Sequence, residues 1–220
     1  MIILKKFKNK SIADIFNFIT YKIDYFLTYP KKGFTRNHVD NFMSKNFSNI
    51  KSNLKVLDVG AGNKPYLKYF NKCHYDTCES SEVLNQIGFI GKMNHSFYCD
   101  ITKSIPRNDN YYDIIICNEV FEHINEPSDA LKEIHRVLKP NGKLFLTVPQ
   151  CHGLHQEPHN YFNYLSYGLE YLFKKNKFTS YKVIPLGGVY HLLGKVMQNS
   201  LNIFFQKINI KLRILLYPIE

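Results

Sequence analysis

Residues 55–65 read Lys-Val-Leu-Asp-Val-Gly-Ala-Gly-Asn-Lys-Pro, and few folds accommodate an apolar run that ends in an acid and two closely spaced glycines. Val56, Leu57 and Val59 suit a strand buried on both faces. Gly60 and Gly62 allow a sharp turn and a close backbone approach to a ligand, where a Cβ would collide. Pro65 is a favourable first residue for a following helix. A strand, a glycine turn and a helix N-terminus together aim amide donors at a bound carboxylate or phosphate.

A dinucleotide fingerprint requires G-x-G-x-x-G, and here Pro65 occupies the third glycine position. What remains is G-x-G with Glu79 lying 19 residues beyond Gly60. The segment His74–Glu79 reads as a second strand with that acid at its C-terminal end. In doubly wound sheets an acid at this distance accepts hydrogen bonds from ribose hydroxyls. The pattern points to a nucleoside without a neighbouring pyrophosphate, and a ligand-free tight turn is the alternative for the glycine pair alone.

Three further strands are predicted: Phe97–Ile101, Tyr112–Glu119 and Lys143–Pro149. A helix over about Pro127–Leu138 carries Leu131, Ile134 and Leu138 on one face, and Pro140-Asn141-Gly142 ends it. A sixth strand is expected at about Phe178–Pro185, and no convincing seventh follows. Alternating strands and helices imply an α/β fold, a three-layer α-β-α sandwich around a mostly parallel Rossmann-like sheet. Ligands in such sheets sit outside the carboxyl ends of the strands. Asp58, Glu79, Asp100 and Asn118 each fall at such an end.

On VLDVGAGNKPY (56–66), Glu79, CDI (99–101) and the stretch 112–149, the chain resembles the class I S-adenosylmethionine-dependent methyltransferases. It is most similar to the small-molecule "methyltransferase type 11" family related to the ubiquinone and menaquinone C-methyltransferases. The resemblance covers roughly Lys55 to Gly188 and implies S-adenosylmethionine as cofactor. Asp58 and the turn Gly60-Ala61-Gly62-Asn63 would face the methionine moiety. Glu79, with Ser80 beside it, would hold the ribose hydroxyls. Asp100 and Ile101 would bracket the adenine, and Asn118 and Glu119 would line the floor. Many relatives have a glycine where Lys64 stands.

Methyl transfer from a sulfonium needs chiefly a nucleophile held in line, and a hydroxyl acceptor also benefits from a positioned base. The candidate acceptor wall is the segment Cys151–Phe162, directly after the fifth strand. Within it His155 and His159 are the candidate catalytic imidazoles, against the plainer reading that these histidines pin the loop. Tyr66, His123, Tyr161 and Phe162 are candidate substrate contacts, and a structural role for His123 is the competing reading. His152, His155 and His159 have a loose metal-like spacing, but sulfonium chemistry needs no Lewis acid and no metal is expected. The loop resembles a variant from surface-glycan clusters of polysaccharide biosynthesis, H-x-x-P-H-D-Y-x-R-Y-T. Here Asn160 replaces the aspartate and Asn163 the arginine, so neither of those roles carries over.

At 220 residues and 45% hydrophobic, the chain can bury a sizeable core without disulfides. Five cysteines without C-x-x-C spacing fit a reducing cytoplasm, and Met1–Leu4 is too short to be a signal peptide. The net charge of +11 is the strongest sign of a partner beyond the cofactor. Residues 1–36 carry a net +6, with Ile12, Ile15, Phe16, Ile19, Ile23, Phe26 and Leu27 on one face of a helix expected from Ser11 to Pro30. A second apolar stripe runs from Met197 to Leu216 beside Lys207, Lys211 and Arg213. A basic amphipathic helix suits an anionic membrane surface, the cytoplasmic face here, or a lipid-linked acceptor; packing on the body or in a homodimer is the alternative. The fourth strand ends in Asn118-Glu119-Val120-Phe121 rather than the Asn/Asp-Pro-Pro-aromatic sequence that grips a flipped base, which disfavours a nucleic-acid substrate.

Three regions are expected: a basic helical segment (1–50), a cofactor-binding domain (51–188) and an amphipathic extension (189–220). The expected activity is methyl transfer to a small or lipid-linked acceptor, with a sugar among the candidates, at oxygen. An RNA or protein methyltransferase and a catalytically inactive cofactor-binding protein are the alternatives.

Overall fold

In the computed structural model five parallel strands form one sheet in the order β3-β2-β1-β4-β5. The structure describes residues 34–80 and 94–190, together with 192–194, 196, 197 and 200. The helix expected over Ser11–Pro30 and the stripe beyond Ser200 lie outside the described residues. Met43–Ile184 pack as one compact unit, and the described residues before and after it belong to a second.

The strands are β1 (Lys55–Val59), β2 (His74–Glu79), β3 (Phe97–Tyr98), β4 (Tyr112–Asn118) and β5 (Leu138–Thr147). β1 pairs in parallel with β2 on one side and β4 on the other, so Asp58 lies level with Thr77 and Ile116. Val56, Leu57, Ile114, Ile115 and Ile116 are buried, as expected of β-branched and leucine side chains in strands covered on both faces.

Helices α1 (Phe34–Phe47), α2 (Pro127–Val137) and α3 (Ser166–Lys175) complete the elements used below. α2 begins with Pro127, carries Asp129 in its first turn and Arg136 in its last, each matched to the local dipole. Its face Ala130, Leu131, Ile134 and Val137 joins the core with Leu57, Ile115, Tyr164 and Leu169. Leu144 and Leu146 of β5 pack toward that cluster. Phe145, between them, meets Phe47 at 5.0 Å between ring centroids. Adjacent residues of a strand point to opposite faces, so the end of α1 covers one face and α2 the other. This is the three-layer arrangement.

Four local expectations are corrected. The helix after Pro65 is only a 3-10 turn, Leu67–Tyr69, because β2 begins at His74 and leaves a short crossover. The third strand is Phe97–Tyr98 rather than Phe97–Ile101, since the Asp100 side chain bonds to Thr102 and folds the chain into a turn. Residues 178–185 have no strand conformation; Phe178 and Val183 pack against the core as side chains instead. β5 starts at Leu138, five residues before Lys143, with a bulge between its pairing to Tyr112 and to Ile114. Asn141 takes φ +63° within that bulge, a conformation asparagine tolerates.

Candidate active site

At the carboxyl end of β1 the chain turns through Gly60 (φ +64°) and Gly62 (φ +47°). The two glycines serve different ends. A Cβ built on Gly60 would lie 2.4 Å from Val120 Cγ2, whereas one on Gly62 meets nothing within 4 Å. Gly60 therefore admits the loop after β4, and Gly62 borders open space. Lys64 also has a positive φ, +54°, which explains why glycine suits that position in relatives. Its Nζ donates to the Asn94 carbonyl, and its N–H donates to Ala61 O at 2.7 Å. Ala61 is buried and Asn63 exposed in the same turn.

Gly62 N donates to Glu79 Oε1 at 2.8 Å, so the turn is tied to the tip of β2. Burial pushes the Glu79 carboxyl up, against the backbone hydrogen bonds from Gly62 and Ser80. A carboxylate offers about four lone-pair directions, and the two amides leave room for further donors. Asp58 is buried. Desolvation raises its pKa to about 7 despite the hydrogen bond from Tyr75 and with help from the charge of Glu79. The Tyr75 hydroxyl, which sequence reasoning missed, donates to Asp58 Oδ2. Its place two residues into β2, level with Val56, was the available signal.

At the tip of β4, Asn118 Oδ1 accepts from Thr147 Oγ1 at 2.8 Å. Glu119 follows with φ +54°, a strained value for a side-chain-bearing residue, and its N–H donates to Thr147 O. Glu79, Asn118 and the glycine turn thus share one edge of the sheet. Two of the expected contacts are buried: Ile101 lies in the hydrophobic core, and the ring of Tyr66 is edge-on to Phe47. The Asp100 carboxylate caps its own turn through Thr102 and Lys103.

The loop after β5 is tied down at several points. His152 N donates to Asn163 Oδ1 and Asn163 Nδ2 returns a bond to His152 O, closing its neck. Tyr161 N and Phe162 N both donate to the Glu122 carbonyl, and Tyr164 Oη donates to Phe121 O at 3.0 Å. His123 Nδ1 donates to the His159 carbonyl. The 3-10 turn Phe121–His123 is thus the loop's anchor. His123 lies edge-on to His155 at 4.9 Å between ring centroids, and the ring of His159 faces Tyr161. So the structure brings His155 to His123, while His159 reaches that group through its backbone. Tyr161 and Phe162 are exposed at the rim.

Sequence reasoning also missed Glu122, which is 1% exposed. Desolvation raises its carboxyl to about 7, opposed by its own backbone N–H and reinforced by Glu119. The signal was an acid-imidazole pair immediately after a buried strand. Burial lowers the pKa of His123, against its bond to His159.

Residues 32–182 match the family described as Methyltransferase domain. The chain belongs to that family. Among curated relatives of this methyltransferase domain is the ubiquinone/menaquinone biosynthesis C-methyltransferase UbiE of Burkholderia cenocepacia, 30% identical over 45% of this chain and 44% of that one. Cycloartenol-C-24-methyltransferase 1 of Oryza sativa is 31% identical over 50% of this chain and 35% of that protein. Among solved structures, a SAM dependent methyltransferase from Aquifex aeolicus gives a TM-score of 0.44 at 23% identity, covering 62% of this chain and 78% of that one. The chain spans no more than about half the length of the curated relatives it matches. S-adenosylmethionine is the family's cofactor. The residues present fit it: an open cradle at Gly62 and an acid with unused lone pairs at Glu79.

Proposed function

We propose that this chain methylates an oxygen of a small or lipid-linked acceptor, drawing the methyl group from S-adenosylmethionine. When bound, that cofactor supplies a methyl on a sulfonium leaving group. Glu79 would hold the ribose hydroxyls, while Asp58, Gly60, Ala61, Gly62 and Asn63 would face the methionine portion and Asn118 and Glu119 the floor. The observation that carries this reading is the Gly62–Glu79 contact at the sheet edge, with a histidine-bearing loop anchored to the neighbouring strand's exit.

The acceptor side supports the finer part. His155 Nδ1 donates to the Gly153 carbonyl at 3.0 Å, so that in the neutral ring Nε2 is the acceptor nitrogen. A hydroxyl acceptor can donate to such a nitrogen, and His159 stands in the same loop. An apolar groove of about 450 Å³ runs between Pro127, Phe162, Tyr164, Leu165 and Leu172, where the chain returns from that loop into α3. Such an apolar groove suits an acceptor with a hydrocarbon portion. Residence at the cytoplasmic membrane face, through basic amphipathic termini, is part of the same reading. Among the described residues no helix is long and apolar enough to cross a membrane.

Radiolabelled S-adenosylmethionine, offered with membrane lipid extract, soluble glycans, RNA and total protein, provides the test. Label in an alkali-stable ether of the lipid or glycan fraction is expected, and its loss in Glu79→Ala. Label confined to RNA or protein would overturn the acceptor class.

A further inference from the structure

The side chains of Glu122, His123 and His155 each place one potential ligand atom within 4.8 Å of the others'. Two of these residues precede α2, and the third comes from the loop after β5. The spacing of loop histidines in the sequence did not suggest this trio. A carbonyl oxygen can only accept, so a ring nitrogen bonded to one must carry the proton. His123 Nδ1 bonds to His159 O and His155 Nδ1 to Gly153 O. In the neutral form of either ring, Nε2 is then the unprotonated nitrogen. Backbone carbonyls commonly fix metal-ligating histidines in this way. His123 Nε2 lies 3.8 Å from Glu122 Oε1, too far for a hydrogen bond. Glu122 Oε2 is fully buried without a hydrogen-bond partner among the described residues. One potential ligand atom of each residue lies within 4.8 Å of the others', and a cation would satisfy such a set.

We infer that Glu122, His123 and His155 bind one first-row divalent metal ion, of which Zn²⁺ is the reference case. Nitrogen and oxygen ligands bind such ions at about 2.0–2.2 Å, which puts neighbouring ligand atoms roughly 3.4 Å apart in a tetrahedral site. The Glu122–His123 separation is already close to that value. His155 is half-buried on a loop and can supply the remaining contraction. Two imidazoles and one carboxylate leave a coordination position open, the arrangement of catalytic rather than structural sites. That position suits an oxygen ligand. An acceptor hydroxyl bound there would lose its proton more readily, the proton passing to solvent water because the lone pair of His155 Nε2 would hold the ion. This role for the ion rests on the acceptor reading above; the binding itself does not.

The test uses the full chain stripped with a chelator and titrated with Co²⁺, without methyl donor or acceptor. Visible absorption of a four- or five-coordinate ion saturating at one per chain is expected, with Zn²⁺ displacing it. His155→Ala, in the loop, and Glu122→Gln should each weaken binding by about tenfold or more. His135→Asn, on the exposed face of α2, should leave it unchanged. If Glu122→Gln fails to fold, His155→Ala alone decides. No saturable absorption, or equal affinity in the wild type and His155→Ala, overturns the site. A failure here leaves S-adenosylmethionine binding and Glu79 untouched, so the two readings fail separately.

Discussion

The backbone N–H of Gly62 donates to the Glu79 carboxylate at 2.8 Å. This bond ties the turn after β1 to the tip of β2, the two places proposed above to hold the cofactor. Glu79→Ala removes it along with the proposed acceptor for ribose hydroxyls. S-adenosylmethionine binding should weaken by about 1–3 kcal/mol, the scale of hydrogen bonds to a charged group, as read by isothermal calorimetry. Unaltered affinity would take Glu79 out of the cofactor site.

Gly60→Ala should destabilise the fold by about 2–4 kcal/mol, because a Cβ there meets Val120 Cγ2 at 2.4 Å and φ is +64°. Adding Val120→Ala relieves the clash but not the backbone strain. Denaturant melts of the double variant should recover part of the loss. Full recovery would show that the backbone conformation costs nothing.

Asp76 is buried and accepts hydrogen bonds from Tyr112 Oη at 2.7 Å and from Arg107 Nε and Nη2 at 3.2 and 3.0 Å. Desolvation alone would raise its pKa, but Tyr112 and Arg107 together hold it below the usual carboxylate value. Its stabilising contribution is therefore present above the unfolded pKa near 3.8 and disappears as pH falls through the lower folded value. Arg107→Ala should cost about 2–3 kcal/mol at neutral pH, with a smaller difference at pH 2.5 in urea melts.

Asp58 has the opposite sign. Its carboxyl is raised to about 7 in the fold, so between roughly pH 4 and 7 the folded state holds a proton that the unfolded chain releases. Stability from this group is complete below the unfolded pKa and declines as pH rises toward 7, by at most about 4 kcal/mol at ~1.4 kcal/mol per unit. Asp58→Asn should flatten that decline. A cationic ligand selects the ionised carboxylate, so S-adenosylmethionine binding at pH 6 should release protons. Calorimetry in buffers of different ionisation heat would detect them.

The sheet was legible chiefly through its two central strands, the apolar Val56-Leu57 of β1 and the β-branched run Ile114-Ile115-Ile116 of β4. Glu79 was legible through its fixed distance from Gly60. The reasons behind some residues were not. Gly60 looked like a ligand-approach position, yet it is Val120, sixty residues onward, that excludes a Cβ. The packing of Tyr66 against the ring of Phe47 is a contact that chain spacing does not encode. Glu122 escaped notice because its significance depends on His155, which reaches it from a different strand exit. Contacts made by tertiary packing leave no local period to read.

The reciprocal His152–Asn163 pair closes the base of the loop, while the anchors at Phe121, Glu122 and His123 clamp its returning limb. The stretch between Gly153 and Gln156 can consequently be rewritten without disturbing the Gly62–Glu79 contact. Recipient choice can drift in such a scaffold by altering a handful of exposed positions, as with an interchangeable tool head on a fixed shaft.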